Sequence, residues 1–379
     1  MAGLYIHIPF CSQFCIYCDF YSTKQTGRMD SFVEALLNEI KLKRDFFKNN
    51  GVPLTTIYFG GGTPSLLSVH QLSVIVSSIC ENFEISSFGN IEEFTMEVNP
   101  DDVTPYYLSG IKKAGVNRLS IGVQSFSDED LKWMNRRHSS SQAIEAFNNA
   151  RTAGFDNICL DLIFGFELLT MERWNSNLQK ILELRPEHIS SYQMSIEPKS
   201  KLGRMYKKGC YNATPDDMSY KEYRLLQKRL SEAGYIQYEI SNFSLPGREA
   251  RHNSTYWNLT PYLGLGPAAH SYDGDFRSSN YSNLNQYLFQ IGVGRSNSKQ
   301  EKLSERDKFN ETIMLSLRKT EGLNLSMLKE RFSDSFYGMF NKQLKRALDS
   351  GAILLMDNKI KISQEKLFLS DGIIRDLFI

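Results

Sequence analysis

The chain has 379 residues, with 44 lysines and arginines against 43 aspartates and glutamates, so its formal net charge is +1. About two domains are expected at this length, and the nearly neutral charge gives no indication of a surface for nucleic acid, so no nucleic-acid partner is expected. Hydrophobic residues make up 41% of the sequence, but no strictly apolar run approaches the ~18 residues that cross a bilayer, so we expect a soluble protein without a membrane span.

Short apolar or β-branched runs alternate with segments of helical periodicity over roughly the first half of the chain. Strands are predicted at residues 4–8, 56–59, 93–98, 118–121, 158–164 and 189–194, and helices at 29–47, 69–80, 105–114, 142–153 and 171–184. This alternation is typical of parallel strands joined by right-handed crossovers. Six units are fewer than the eight of a closed TIM barrel. The predicted fold class is therefore α/β with a partial (β/α)6 barrel, open along one side, and a doubly wound open sheet is the alternative.

The pattern changes after the sixth predicted strand. In chain order, the sequence predicts a helix at 215–233 that leads to residues 238–242, an aromatic- and glycine-rich stretch without a clear period at 253–287, and a polar linker at 294–302. Helices at 305–320, 324–332 and 337–350 and strands at 352–356 and 359–362 follow. Their order is typical of a winged helix. Because the sequence has no concentrated basic stripe, packing or partner docking is favoured over DNA binding.

These changes divide the chain into three predicted regions. A barrel is expected at residues 1–240, a connecting region at 241–300, and a mainly helical, winged-helix-like module at 301–379. No basic leader or apolar segment precedes the first strand, so a cytoplasmic location is expected. In that reducing compartment the six cysteines should not form disulfides.

Three of the cysteines, Cys11, Cys15 and Cys18, have the spacing C-x3-C-x2-C directly after the first predicted strand. A loop there lies at the carboxyl ends of the strands, where α/β barrels carry their active sites. Thiolates bind zinc or an iron–sulfur cluster, but a zinc site needs a fourth ligand, and the nearby His7 fits a strand position better. Three cysteines on a [4Fe–4S] cluster leave one iron open. We therefore favour the cluster and expect Cys80, Cys159 and Cys210 to be ordinary packing residues.

The cysteine spacing, with Tyr17 before the last cysteine, resembles the signature of radical S-adenosylmethionine (SAM) enzymes. In that superfamily SAM chelates the open iron, and the reduced cluster cleaves it to methionine and a 5′-deoxyadenosyl radical. The resemblance implies that SAM binds beside the cluster in this chain. Matching family positions on successive strand ends imply these SAM-binding residues: Tyr5, Tyr17, Gly61, Gly62, Thr63, Glu97, Gln124, Arg136 and Asp161. The last three correspond to positions that hold a second SAM in the decarboxylase type, and each taken alone has an ordinary structural explanation.

Three longer sequence segments limit the resemblance to one family within the superfamily. Residues 4–11, the Gly-Gly-Gly-Thr-Pro-Ser loop at 60–65 and Gly-Val-Gln-Ser at 122–125 are similar to the oxygen-independent coproporphyrinogen III oxidase-like family, over essentially the whole chain. The decarboxylating oxidases of that family have a long N-terminal extension and a further cysteine where this chain has Phe20. Both departures favour the haem-chaperone branch, and oxidative decarboxylation of coproporphyrinogen III is the alternative function.

The segment His-Asn-Ser-Thr-Tyr-Trp at 252–257 resembles the H-N-x-x-Y-W element associated with haem binding in the chaperone branch. The resemblance implies that His252 ligates haem iron and that Tyr256 and Trp257 pack against the macrocycle. A buried core histidine is the structural alternative for His252, and His270 is a second candidate ligand. Arg248 and Arg251 are candidate partners for the haem propionates. The expected function is delivery of haem to haemoproteins such as respiratory cytochromes, with an electron donor for the cluster.

Overall fold

The computed structural model describes residues 2–86 and 88–379, which contain one sheet of twelve strands and a second sheet of three. Six parallel strands lie side by side in chain order at the centre of the large sheet: β1 Ala2–Ile8, β2 Leu54–Gly61, β3 Glu93–Val98, β4 Arg118–Gln124, β5 Ile158–Phe164 and β6 His188–Gln193. The six predicted strands and the α/β class with a barrel of parallel strands are thus confirmed.

Helices follow these strands and cover their outer face: α1 Met29–Leu42, α2 Phe46–Asn49, α3 Val69–Asn82, α4 Pro105–Lys113, α5 Asp128–Trp133, α6 Ser140–Thr152, α7 Met171–Leu184, α8 Lys201–Lys207 and α9 Asp216–Glu232. Capping boxes begin α3 and α6, where Ser68 and Ser139 accept hydrogen bonds from backbone N–H groups of the first turn. The single helix predicted at 29–47 is wrong, because the chain leaves the helix after Leu42 and forms α2 separately.

Both edges of the six-stranded core are extended by later segments. On one side β9 Tyr262–Leu265 pairs in parallel with β1, and antiparallel strands β10 His270–Tyr272, β11 Phe276–Asn280 and β12 Ser298–Lys302 follow it. On the other side β8 Asn242–Ser244 pairs with β6, and β7 Ile236–Gln237 pairs with β8. Helices α10 Arg251–Trp257 and α11 Leu284–Gly292 connect these strands.

These extensions correct two predictions. Residues 298–302 of the expected linker form β12, and the stretch at 253–287, which showed no clear period, contains most of α10 and three strands. The reason is visible in β12, whose sequence Ser-Lys-Gln-Glu-Lys is polar and mostly exposed. An edge strand of this kind has no alternation of apolar side chains by which the sequence could reveal it.

Side chains along the six parallel strands alternate between the helices and the barrel lumen, as the pleat requires. Leu4, Ile6 and Ile8 of β1 are fully buried in the apolar core. The opposite face carries polar groups that bond across neighbouring strands, as Ser120 does to Asp161. The lumen of the barrel is therefore polar, and the layer between the strands and the outer helices is apolar.

The C-terminal module begins with α12 Glu305–Leu317 and continues with β13 Leu323–Asn324, α13 Leu325–Arg331, α14 Asp334–Asp349, β14 Ile353–Met356, β15 Lys359–Ile362 and α15 Ser370–Arg375. Strands β14 and β15 form a hairpin whose turn residues, Asp357 and Asn358, both have positive φ, as a tight two-residue turn requires. The predicted winged-helix-like order is confirmed. None of the described helices combines the length and the apolar character that a membrane crossing demands.

Candidate functional site

The three clustered cysteines lie on the loop that leaves the carboxyl end of β1. Cys11 is buried and Cys15 and Cys18 are half-buried, and none of them forms a disulfide. Arg136 Nη1 donates to Cys15 Sγ over 3.2 Å, and Thr63 Oγ1 donates to Cys11 Sγ over 3.5 Å. Burial raises the pKa of the Cys18 thiol to about 11. The loop thus presents three free thiols, one of them beside a guanidinium.

The surroundings of these thiols fit a cluster better than a zinc ion. Both ring nitrogens of His7 are already bonded, Nδ1 to the Tyr5 hydroxyl at 3.0 Å and Nε2 to the Tyr21 carbonyl at 2.8 Å. Within residues 2–86 and 88–379, no three His, Cys, Asp or Glu side chains are arranged to hold a single metal ion. In a [4Fe–4S] cluster each thiolate binds a different iron, so the ligands stand further apart than around one ion.

The glycine loop after β2 lies directly against the cysteine loop. Gly62 N donates to Ile8 O over 2.9 Å, and a Cβ at Gly62 would lie 3.1 Å from Cys11 Sγ and 2.7 Å from Phe10 O. Gly61 has φ +108°, which side chains rarely tolerate. Glycine at both positions is therefore required for the close approach of the two loops.

Glu97, at the end of β3, is a partly buried carboxylate in the lumen. One oxygen accepts from the Tyr58 hydroxyl at 2.7 Å and the other from Gly61 N at 3.2 Å. The ring of Tyr5 stacks on that of Tyr58, with centroids 6.1 Å apart. Burial raises the pKa of Glu97 to about 7, and the nearby Asp161 acts in the same direction. The carboxyl group can therefore change its charge near neutral pH.

The remaining predicted SAM residues lie around the same mouth. Arg136 Nη2 donates to Asn99 Oδ1 at 2.8 Å and to Gly122 O at 2.9 Å, and the amide of Gln124 also lies beside Gly122. Asp161 accepts from Ser120 Oγ at 3.1 and 3.2 Å. Tyr17 lies next to Arg136 and Cys15, and burial raises its pKa well above the usual value. The structure thus brings most of the nine sequence-predicted residues to the carboxyl end of the barrel, whereas Tyr5 and Asp161 lie midway along β1 and β5.

The H-N-x-x-Y-W element forms α10, whose buried histidine enters the lumen from the opposite, amino end of the strands. His252 is 1% exposed; its Nδ1 lies 2.9 Å from Thr56 Oγ1 and its Nε2 2.9 Å from the Tyr256 hydroxyl. The imidazole also stacks on Tyr58 at 5.1 Å. Trp257 points to the C-terminal module, with the guanidinium of Arg318 5.8 Å from its ring. The element therefore places His252 and Tyr256 together and Trp257 elsewhere.

Other residues named in the sequence have different surroundings. Arg251, a candidate propionate partner, pairs with Glu92. His270 begins β10 and its side chain is exposed. Cys210, expected to be a packing residue, is exposed, and Cys80 is half-buried.

Sequence reasoning missed a polar network at the amino end of the lumen. Cys159, expected to pack, bonds through Sγ to Asp161 at 3.2 Å, Ser190 at 3.1 Å and His188 at 3.0 Å. Glu93 accepts from the backbone N–H groups of Arg251 at 2.7 Å and His252 at 3.1 Å. Glu93 thereby holds the first turn of α10. The only sequence signal was that polar residues recur at alternate positions of the predicted strands.

Replacing Glu97 by glutamine is expected to change how stability depends on pH. The pKa is about 7 in the folded chain against an ordinary value of 4.5, so between these values the folded state binds more protons than the unfolded state. The free energy of unfolding of the wild type should therefore fall as pH rises through this window, relative to Glu97→Gln. Denaturant titrations of both proteins at pH 5, 6 and 7 measure the difference, and parallel profiles would contradict the assignment.

The barrel mouth carries three thiols after the first strand, a glycine loop after the second and a carboxylate on the third. This combination defines a radical SAM domain. Two family models match: "Radical SAM superfamily" over residues 5–181 and "HemN C-terminal domain" over residues 303–369. Heme chaperone HemW of Bacillus subtilis is 34% identical over 375 residues, which are 98% of this chain and 98% of that protein. Heme chaperone HemW of Escherichia coli is 38% identical over 71% of this chain and 69% of that protein. The chain belongs to the HemW heme chaperone family of radical SAM proteins.

A solved structure shares the fold. Coproporphyrinogen III oxidase (HemN) from Escherichia coli superposes with a TM-score of 0.86 at 24% identity, covering all of this chain and 90% of that one. This superposition confirms the predicted fold class, and the similarity to HemW of Bacillus subtilis confirms the family resemblance.

Proposed function

We propose that this chain is a cytosolic haem chaperone that binds a [4Fe–4S] cluster, SAM and haem, and that it delivers haem to haemoproteins. The observation that carries the proposal is the full-length similarity to proteins named Heme chaperone HemW. The free thiols of Cys11, Cys15 and Cys18 at the barrel mouth support it, because their chemistry suits iron–sulfur ligation.

In this proposal, different residues at the barrel mouth hold the cluster and SAM. Cys11, Cys15 and Cys18 would each ligate one iron, and a cluster held there would, when reduced, supply an electron for cleavage of SAM. Arg136 is a cation beside Cys15 and donates to its Sγ. Glu97 offers carboxylate oxygens to the polar groups of SAM. Tyr5, Tyr17, Gly61, Gly62, Thr63, Gln124 and Asp161 complete the proposed SAM site.

Haem is the cargo, and the H-N-x-x-Y-W element is one proposed contact. His252 can bind iron only after a ring nitrogen leaves Thr56 or Tyr256, because both nitrogens are bonded in the barrel. This role therefore requires α10 to move out of the lumen, after which Tyr256 and Trp257 become available to the macrocycle. The proposed recipients are haemoproteins such as respiratory cytochromes. An electron donor would meet the cysteine loop, where Phe14 is exposed.

A transfer experiment tests the proposal. The cluster is reconstituted anaerobically, haem is added to one equivalent, and the loaded chain is mixed with a haem-free b-type cytochrome and separated by size. We expect the Soret absorbance to appear with the cytochrome. Haem that stays on the chain, or never binds it, would contradict a carrier role, and formation of protoporphyrinogen from coproporphyrinogen III with SAM and reductant would favour the decarboxylase instead. A His252→Ala variant with an unchanged Soret band would exclude His252 as ligand.

A further inference from the structure

We propose that His270 is the axial ligand that captures haem iron, at an exposed site on the rim of the barrel mouth. This inference rests on the proposed haem-chaperone function and names the residue at which the cargo binds without a prior rearrangement. It is carried by the exposure of the six histidines, by the position of His270 beside the cysteine loop, and by the rigidity of the segment that presents it.

Exposure separates the six histidines into two groups. The side chains of His7, His138, His188 and His252 are at most 4% exposed, and each makes at least one ring-nitrogen hydrogen bond within the protein. Only His70 and His270 are exposed. Among the described residues, the ring of His270 has no hydrogen-bond partner. Because iron needs a ring nitrogen that it can reach, the four buried histidines cannot bind haem in this conformation.

Position distinguishes the two exposed histidines. His70 lies in the first turn of α3, on the outer ring of helices. His270 follows the turn after β9, which pairs with β1, and a Cβ at Gly266 of that turn would lie 2.4 Å from His7 O. The pKa of His7 is lowered to about 4 mainly by burial, and His270 is close enough to contribute in the same direction. His270 therefore lies near the carboxyl end of β1, where the cysteine loop begins.

The turn that presents His270 is held from the inside of the protein. The buried carboxylate of Glu39 accepts from Gly266 N at 2.7 Å, from Asn280 Nδ2 at 2.8 Å and from the Tyr287 hydroxyl at 2.8 Å. Ala268 has φ +64°, a left-handed conformation that residues with a side chain rarely adopt. A strained turn pinned by a buried carboxylate orders the ligand in advance, so little entropy is lost when iron binds.

The neighbouring surface suits an iron porphyrin. Phe20 is 73% exposed, and the next residue, Tyr21, accepts from His7 Nε2 through its carbonyl at 2.8 Å. An exposed phenyl ring offers a flat apolar contact to a macrocycle face. Lys24, on the same loop, is exposed, its ammonium group lies 5.1 Å from the centroid of the Phe14 ring, and it would be the cation offered to a propionate group. The imidazole of His270 reaches solvent but is partly buried, and this partial burial, together with the nearby Arg277, lowers its pKa and favours the neutral form that binds iron.

Haem titrations of three proteins test this inference: the wild type, His270→Ala, and His70→Ala as the matched exposed histidine. Each protein carries its reconstituted cluster, and the visible spectrum and the Kd for haem are recorded. We expect His270→Ala to bind haem about tenfold more weakly or worse, with a displaced Soret band that added imidazole restores. His70→Ala should match the wild type. Iron and sulfide contents equal to the wild type would show that His270→Ala is folded.

The outcomes separate this inference from the function on which it rests. Haem binding by His270→Ala with the wild-type spectrum and Kd would overturn the assignment of His270 while leaving the chaperone proposal intact. Failure of the wild type to bind haem would overturn the proposed function itself. A weaker Kd that imidazole does not rescue, with an unchanged Soret position, would show a supporting role in packing and would also overturn His270 as ligand.

Discussion

Replacement of Cys15 by alanine is expected to abolish the cluster. Wild-type protein reconstituted under anaerobic conditions should contain about four irons and four sulfides per chain. Cys15 Sγ faces Arg136 Nη1 at 3.2 Å, and the variant loses one of the three proposed cluster ligands while the guanidinium keeps its charge. Iron and sulfide analysis, with the visible spectrum before and after reduction by dithionite, measures the loss.

Cys210→Ala is the matched control for this experiment, because Cys210 is an exposed cysteine outside the loop. It should retain the iron and sulfide of the wild type. Zinc in place of iron, with no sulfide, would overturn the cluster assignment. Retention of the full cluster by the Cys15 variant would show that the loop does not ligate it through this residue.

The second large effect is expected on stability, from Glu93→Gln. Glu93 and Arg118 are each 2% exposed, and Thr95 links them, donating to Glu93 Oε1 at 3.0 Å and accepting from Arg118 Nη1 at 3.4 Å. Removing the negative charge takes away the largest favourable electrostatic partner of the buried Arg118 guanidinium, and losing a buried counter-charge typically costs about 3 kcal/mol. Denaturant unfolding of wild type and variant measures the change in free energy.

Two further variants serve as controls for this change in the free energy of unfolding. Glu92→Gln removes the carboxylate of the exposed pair with Arg251, and it should cost less than about 1 kcal/mol. The double variant Glu93→Gln, Arg118→Met should recover part of the loss, because the uncompensated charge is then gone. Equal stabilities of Glu93→Gln and Glu92→Gln would show that the buried pair contributes no more than a surface pair.

The barrel strands were predictable from the sequence because their apolar residues form short, well-separated runs. The edge strands were not: β7 has two residues and β12 is polar, so neither has a pattern of its own. They become strands because β8 and β11 offer unpaired backbone groups. The break after Leu42 was missed for a different reason, since Phe46 and Phe47 continue the apolar face of α1 and suggested one helix.

The cluster ligands were predictable because Cys11, Cys15 and Cys18 are close in sequence and carry an unusual chemistry. Glu93 was not, because its partners on α10 lie more than 150 residues away. The surroundings of His252 were hidden in the same way: its bond to Thr56 spans 196 positions, and a motif cannot show that both ring nitrogens are already used.

The burial of His252 beneath Tyr58 changes what its six-letter motif can tell about a related sequence. Alanine in place of His252 would leave the hydroxyls of Thr56 and Tyr256 without a partner, at a cost of about 1–3 kcal/mol each. It would also leave a cavity next to the Tyr58 ring, below Glu97. A related protein that no longer binds haem would still need this histidine and tyrosine for the stability of its fold. The presence of the motif in a sequence therefore indicates the structure of the barrel as much as it indicates haem binding.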